Sequence, residues 1–281
     1  MIGTFTRCLS VPEPTWLGQR TQSEGTAMPS IPPPPTIVLV HGAFTDASSW
    51  AGVINLLHSA GSTVRAPANP LRGLTHDADY IKNVVRGIDV PVVLVGHGYG
   101  GAVITHAATD ADNVMALCYV AGFGLDAGEC VLDITSRFSP MPVADATFAA
   151  DLPAQFPGGP DSELYISQER FPQVYAADLP PHVRNVMSVA QRPIVHSALT
   201  SRSGPPAWAF KPSWYAIATA DRMLNPTAQR FMAQRMAAAE YLLDGSHAVV
   251  LSQPDAVVAM IREAAEQGTG HCDGDELGQP S

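Results

Sequence analysis

The segment that most restricts the fold is Val92-Val93-Leu94-Val95-Gly96-His97-Gly98-Tyr99-Gly100-Gly101. An apolar, β-branched run gives way to closely spaced glycines and then to an alanine-rich stretch. That is the pattern of a buried strand, a tight turn and the start of a helix. Its spacing is that of G-x-S-x-G, in which a serine occupies the tip of a strained strand-to-helix turn. Here Gly98 stands at the tip. Glycine adopts a positive φ without steric penalty, but it has no side chain with which to attack anything.

Around this turn, strand-like and helix-like segments alternate. Thr36–Val40, Ser62–Ala66, Val92–Val95 and Asn113–Ala121 read as strands. Ser48–Ala60 reads as a helix capped by Ser48 or Ser49 and stopped by Gly61, and Tyr99–Thr109 as another. Tyr80, Ile81, Val84, Val85 and Ile88 form one helical stripe. Alternation lapses over 124–212, a proline-rich insert with short helical pieces such as His182–Ala190, and resumes with Ser213–Thr219 (strand), Pro226–Ala238 (helix), Tyr241–Leu243 (strand) and Pro254–Gln267 (helix). Such alternation predicts an α/β fold, with a mostly parallel central sheet, helices on both faces and a helical cap over the sheet edge. The expected organisation is a disordered leader over 1–35, ending in Pro32-Pro33-Pro34-Pro35, one domain over 36–267 and a disordered tail over 268–281. Met28 is an alternative start.

Composition removes several function classes. The net charge of −10 argues against nucleic acid and against anionic membrane surfaces. No apolar run is long enough to span a bilayer, and the first residues lack the basic-then-apolar pattern of a secretory signal. Cys8, Cys118, Cys130 and Cys272 form no CxxC or zinc spacing, so no metal is expected, and reduced thiols in the cytoplasm are the simpler reading. No nucleotide loop or flavin fingerprint is present, and no cofactor is expected. The expected partner is a small-molecule substrate or ligand, with a homodimer left open.

Four segments carry chemistry: His41-Gly42-Ala43-Phe44 after the first strand, the turn Gly96–Gly101, Asp221 after Tyr215–Thr219, and His247 after Tyr241–Leu243. In this order, each at a strand end, they resemble the α/β-hydrolase superfamily over roughly 36–267. The His-Gly-Ala-Phe start is similar to the branch of small esterases, methylesterases and hydroxynitrile lyases. The resemblance implies a nucleophile–acid–base set at positions 98, 221 and 247, with Asp221 orienting the His247 imidazole. It also implies an oxyanion hole from the backbone N–H of Tyr99 and that of Ala43 or Phe44. The competing reading of Asp221 is an Asx-turn residue ahead of Pro226, and that of His247 an ordinary loop histidine. Asp244 is a rival acid, poorly placed so close to His247 in sequence. His41, His97 and Phe123 are substrate-binding candidates, although either histidine could instead brace a loop. Aromatic and methionine residues of the insert, among them Phe138, Met141, Phe148, Phe156, Tyr165 and Tyr175, either line an apolar pocket or form the cap's own core.

With glycine at the tip, three activities stay open. The scaffold is that of a serine esterase or acyl hydrolase for a small apolar substrate, impaired by Gly98. Alternatively, His247 acts without serine on water or on an acidic substrate proton, giving weak hydrolysis or cofactor-free lyase or cyclase chemistry. In the third reading the pocket only binds a ligand, as in superfamily members that serve as receptors.

Overall fold

The computed structural model describes residues 33–152 and 161–268. The chain runs β1 (Thr36–Val40), α1 (Ala51–Ser59), β2 (Thr63–Arg65), α2 (Leu74–Arg86), β3 (Val92–His97), α3 (Tyr99–Ala107) and β4 (Val114–Val120). It then enters the insert, with α4 (Val131–Ser136), β5 (Thr147–Asp151), β6 (Ser162–Ile166), α5 (Phe171–Val174), α6 (Pro181–Val189), β7 (Ile194–Val195) and α7 (His196–Thr200). It returns through β8 (Ser213–Ala218), α8 (Pro226–Arg235), β9 (Ala239–Leu243), α9 (Val249–Ser252) and α10 (Pro254–Gln267).

The main sheet has the order β2-β1-β3-β4-β8-β9, and every pair in it is parallel. Its central strands are buried on both faces, which explains their continuous Val, Ile and Leu content. Alternate side chains supply two cores. Val38, Val40, Leu94, Leu117 and Tyr215 pack with α2, α3, α8 and the cap, while Ile37, Leu39, Val95, Cys118 and Trp214 pack with α1 and α10. The chain reverses its direction of travel across the sheet between β1 and β3. Open α/β sheets bind ligands at the carboxyl ends of the strands flanking such a reversal. The segments after β1 and after β3 therefore meet where a site is expected.

Several elements differ from the sequence expectation. The first helix opens as a 3-10 turn over Ala47–Trp50, and its cap is Asp46, whose carboxylate accepts the Ser48 N–H at 2.8 Å; neither Ser48 nor Ser49 fills that place. The buried stripe of α2 is Leu74, Ala78, Ile81 and Val85, continued by Ile88, whereas Tyr80 is exposed. Among its described residues the insert carries four α-helices and a 3-10 turn over Ala207–Ala209, together with an antiparallel sheet β5-β6-β7 that no period-2 pattern announces. Among the described residues no helix is long and apolar enough to cross a membrane, and no group of three or more His, Cys, Asp or Glu side chains could hold a metal ion. Residues 1–32 of the expected leader, residues 269–281 of the expected tail, Cys8, Met28, Phe156 and Cys272 lie outside the described residues.

Candidate active site

Gly98 forms the N-terminal boundary of α3 with φ 54° and ψ −122°, a region that L side chains adopt only under strain. Its carbonyl accepts the N–H of Gly101 at 3.1 Å and of Phe123 at 3.0 Å, and its own N–H donates to Val120 at 3.2 Å, so the turn is tied to the end of β4. The flanking glycines permit the crossing. A Cβ on Gly96 would lie 2.5 Å from the Gly100 carbonyl oxygen, and one on Gly100 would collide with the backbone of Val40.

His247 follows β9 and is 5% exposed. Its Nδ1 donates to Asp221 Oδ2 at 2.7 Å, which leaves Nε2 without a proton in the neutral ring. Nε2 faces the turn, where a Cβ on Gly98 would lie 3.0 Å from it. Asp221 is buried and fully engaged. Oδ1 accepts the N–H groups of Met223 (2.7 Å) and Leu224 (3.0 Å), and Oδ2 accepts Gln229 Nε2 (2.8 Å) besides the imidazole. Both readings of Asp221 therefore describe it: one oxygen closes a turn and the other holds the histidine. Asp244 lies beside Thr219 Oγ1 and makes no contact with the imidazole.

His41 and His97 do not line the cavity, whereas His196, which follows β7, does. His41 is buried, donates from Nδ1 to the Gly42 carbonyl at 2.9 Å and accepts the Asn69 N–H on Nε2 at 2.9 Å. His97 is buried and donates from Nε2 to the His247 carbonyl at 2.8 Å. Burial drives both off the charged form, His41 to a pKa of about 4 and His97 to about 3. As substrate-binding candidates both are corrected: neither lines the cavity, His41 spends both ring nitrogens on backbone, and His97 spends Nε2 there while its Nδ1 has no partner among the described residues. Phe123, by contrast, lines the cavity.

Of the oxyanion candidates, Phe44 lines the cavity with φ 63°, but its N–H is spent on the Arg192 carbonyl at 2.9 Å. Its amide is therefore removed from the hole. The Tyr99 amide opens α3, where no i−4 carbonyl is available to it. The Ala43 amide has no hydrogen-bond partner among the described residues. The Tyr99 ring is fixed by Asp77, which accepts the phenol at 2.9 Å and the Arg72 N–H at 3.0 Å. Burial raises the Asp77 pKa above the usual carboxylate range.

Above the turn lies a cavity of about 690 Å³. The core contributes Phe44, Tyr99, Phe123 and Leu224, and the cap contributes Val131, Leu132, Met141 and Leu164. Among the described residues no Asp, Glu, Lys or Arg lines it. Phe138 also lines it, whereas Phe148 stacks on Tyr165 over the cap sheet and Tyr175 packs edge-on against His247.

Sequence reasoning misses Gln229 and Asp77, and it offers Tyr175 only as a pocket or cap-core aromatic, without its contact to His247. Gln229 alone leaves a trace, as a polar residue on the Ala228–Met232–Ala233 buried face of α8.

A family model described as "Alpha/beta hydrolase family" matches residues 37–260. The alpha/beta hydrolase nvfD of Aspergillus novofumigatus is 25% identical over 259 residues, which span 82% of this chain and 96% of that protein. Among solved structures, polyneuridine aldehyde esterase is similar with a TM-score of 0.72 at 17% identity, covering 82% of this chain and 99% of its own. A pyrethroid hydrolase from Sphingobium faniae JZ-2 gives 0.68 at 21%, covering 84% and 99%. The Arabidopsis methylesterase MES16 gives 0.66 at 19%, covering 83% and 99%.

Proposed function

The chain belongs to the alpha/beta hydrolase family, and we propose that its site is built to act on the acyl carbonyl of an uncharged, largely apolar ester. His247 is the proton-transfer base and Asp221 its orienting carboxylate. The amides of Tyr99 and Ala43 are the donors for a developing oxyanion, helped by the positive end of α3. Gly98 occupies the nucleophile's place. A serine there would attack the carbonyl, form an acyl intermediate and be freed by water. With glycine that covalent route is closed, and the chain as it stands is impaired. The esterases among its structural relatives agree with this reading.

The observation that carries the proposal is the approach of His247 Nε2 to within 3.0 Å of a Gly98 Cβ, with Asp221 behind the ring at 2.7 Å. A cavity of about 690 Å³, with no Asp, Glu, Lys or Arg among its described lining residues, supports a neutral substrate. The buried, unpaired thiols of Cys118 and Cys130 support a reducing, cytoplasmic setting.

Gly98→Ser tests the proposal. Loss of a triad serine typically costs about a million-fold in turnover, so the variant should hydrolyse p-nitrophenyl esters at least about a thousandfold faster than the parent chain. The Cβ contact requires His247 to yield by a few tenths of an ångström. A folded Gly98→Ser protein with no gain on any neutral ester would overturn the proposal.

A further inference from the structure

We infer that the chain with Gly98 transfers acyl groups in a single displacement, taking its nucleophile from solution, and that short primary alcohols serve as acceptors alongside water. This rests on the hydrolase reading and adds what replaces the serine. Three features meet at one point. Gly98 has no side chain, and its neighbours Tyr99 and His247 line the cavity. The nearest atoms to a Cβ there are His247 Nε2 at 3.0 Å, His247 Cε1 at 3.5 Å and Gly42 Cα at 3.8 Å. Nε2 takes no protein hydrogen bond among the described residues, and the Asp221 bond to Nδ1 keeps its lone pair pointed at that place. The Tyr99 amide, next in sequence to Gly98, lies alongside as the oxyanion donor.

A hydroxylic molecule the size of a serine side chain, R″–O–H, can occupy this position. Its proton passes to His247 Nε2 as its oxygen forms a bond to the ester carbonyl carbon, and the negative charge moves to the carbonyl oxygen at the Tyr99 and Ala43 amides. The bond to the leaving group R′O then breaks, and the imidazolium returns its proton to R′O. The balance is R–CO–OR′ plus R″OH giving R–CO–OR″ plus R′OH, with water as R″OH in hydrolysis. Nothing is oxidised or reduced. The apolar lining favours an alcohol over water, because transferring its carbon atoms from bulk solvent is favourable.

The test uses the full chain, p-nitrophenyl butyrate and a methanol titration, with methyl butyrate and butyrate quantified separately. The expected result is turnover about 10³-fold above buffer, the residue left to binding and an oxyanion hole when a triad serine is lost. Methyl butyrate should accumulate, nitrophenol release should rise in proportion to methanol, and no initial burst should appear. Gly98→Ala places a methyl group where the nucleophile stands and should remove at least nine-tenths of both products. His247→Gln should do the same without touching the strained turn, so the test survives if the alanine variant fails to fold. Two results overturn the inference: turnover insensitive to both substitutions, or nitrophenol release indifferent to methanol with no methyl ester formed. If Gly98→Ser is active while the parent shows neither product, single displacement fails and the hydrolase reading stands. If a folded Gly98→Ser protein is also inert, both fail.

Discussion

His41 and His97 act on backbone, and that gives the protein a defined response to acid. His41 Nε2 accepts an N–H from Asn69, so a proton there removes a hydrogen bond and places charge in a dry site. Burial chiefly lowers the pKa of His41 to about 4 and of His97 to about 3, the latter also through His247 nearby. In the unfolded chain both titrate near the ordinary 6.5. Between those values the unfolded state holds more protons, so stability is complete above pH 6.5 and is lost as pH falls toward 4. By pH 5 each histidine should subtract about 2 kcal/mol from the unfolding free energy. Urea denaturation at pH 7, 6 and 5 measures this slope, and a His41→Gln protein should show a shallower one; a flat profile in the parent chain would refute it. The same residues mark how far the site is legible in sequence. Asp221 and His247 can be read because each follows a strand in the order the fold requires. The direction in which His41 or His97 points cannot be read, because it depends on Asn69 in a later loop and on the carbonyl of His247 in a distant one. Gln229 is hidden for the same reason: its partners are a carboxylate and two backbone groups that only the folded chain collects.

The loop that carries His247, between β9 and α9, is held from the cap side. Asp178, just beyond α5, accepts the Ser246 N–H at 3.0 Å, the Ser246 hydroxyl, and Ser252 Oγ at 2.7 Å. The Tyr175 carbonyl accepts Ser246 Oγ at 3.1 Å and the Ala248 N–H at 3.0 Å. Burial would raise the Asp178 pKa, but the hydrogen bonds from Ser246 and Ser252 outweigh it and hold the carboxyl below its usual range. The contribution of this depressed group is present above the ordinary carboxylate pKa and is lost as pH falls through the lower, folded value. Asp178 does not line the cavity, so its removal should act through the histidine. In a Gly98→Ser background, Asp178→Ala should lower kcat about ten- to a hundredfold, the scale of a catalytic group misplaced by an ångström, while KM stays within about twofold. Asp178→Asn, which keeps one acceptor, should fall between. An unchanged kcat would show that the loop holds itself. At this scale the strands and most helices are legible because their burial pattern is local: a β-branched run, a stripe, a terminal glycine. The cap sheet is not legible, because β7 has two residues and Ile194 pairs with Leu164 across two intervening helices.

Over the whole molecule, the cap is joined to the sheet domain where the chain leaves β4. Arg235 of α8 grips Glu129 with both nitrogens, at 3.0 and 2.6 Å, and the Gly124 carbonyl at 2.6 Å. Arg137 meets the same carboxylate at 2.9 Å, and the Arg235 guanidinium lies 5.6 Å from the Trp208 ring centroid. The joint stands at the root of α4, which forms one wall of the cavity. Glu129 is 8% exposed and Arg235 only half-buried, so removing the carboxylate leaves that guanidinium the Gly124 carbonyl, and losing the charged hydrogen bonds costs about 1–3 kcal/mol. Glu129→Ala should therefore lower the urea midpoint strongly, whereas Glu129→Leu combined with Arg235→Met should recover most of the loss, since apolar replacement of both partners is often neutral. The kinetic signature should differ from that of Asp178. Loosening α4 alters the wall that holds the substrate, so in the Gly98→Ser background Glu129→Ala should raise KM for neutral esters with kcat little changed, the mark of lost uniform binding. These two attachments of the cap thus have separable effects, one on the His247 loop and one on the cavity wall. If both variants changed kcat and KM in the same ratio, the cap would have to be moving as one rigid piece, and the division between holding His247 and shaping the cavity would be wrong.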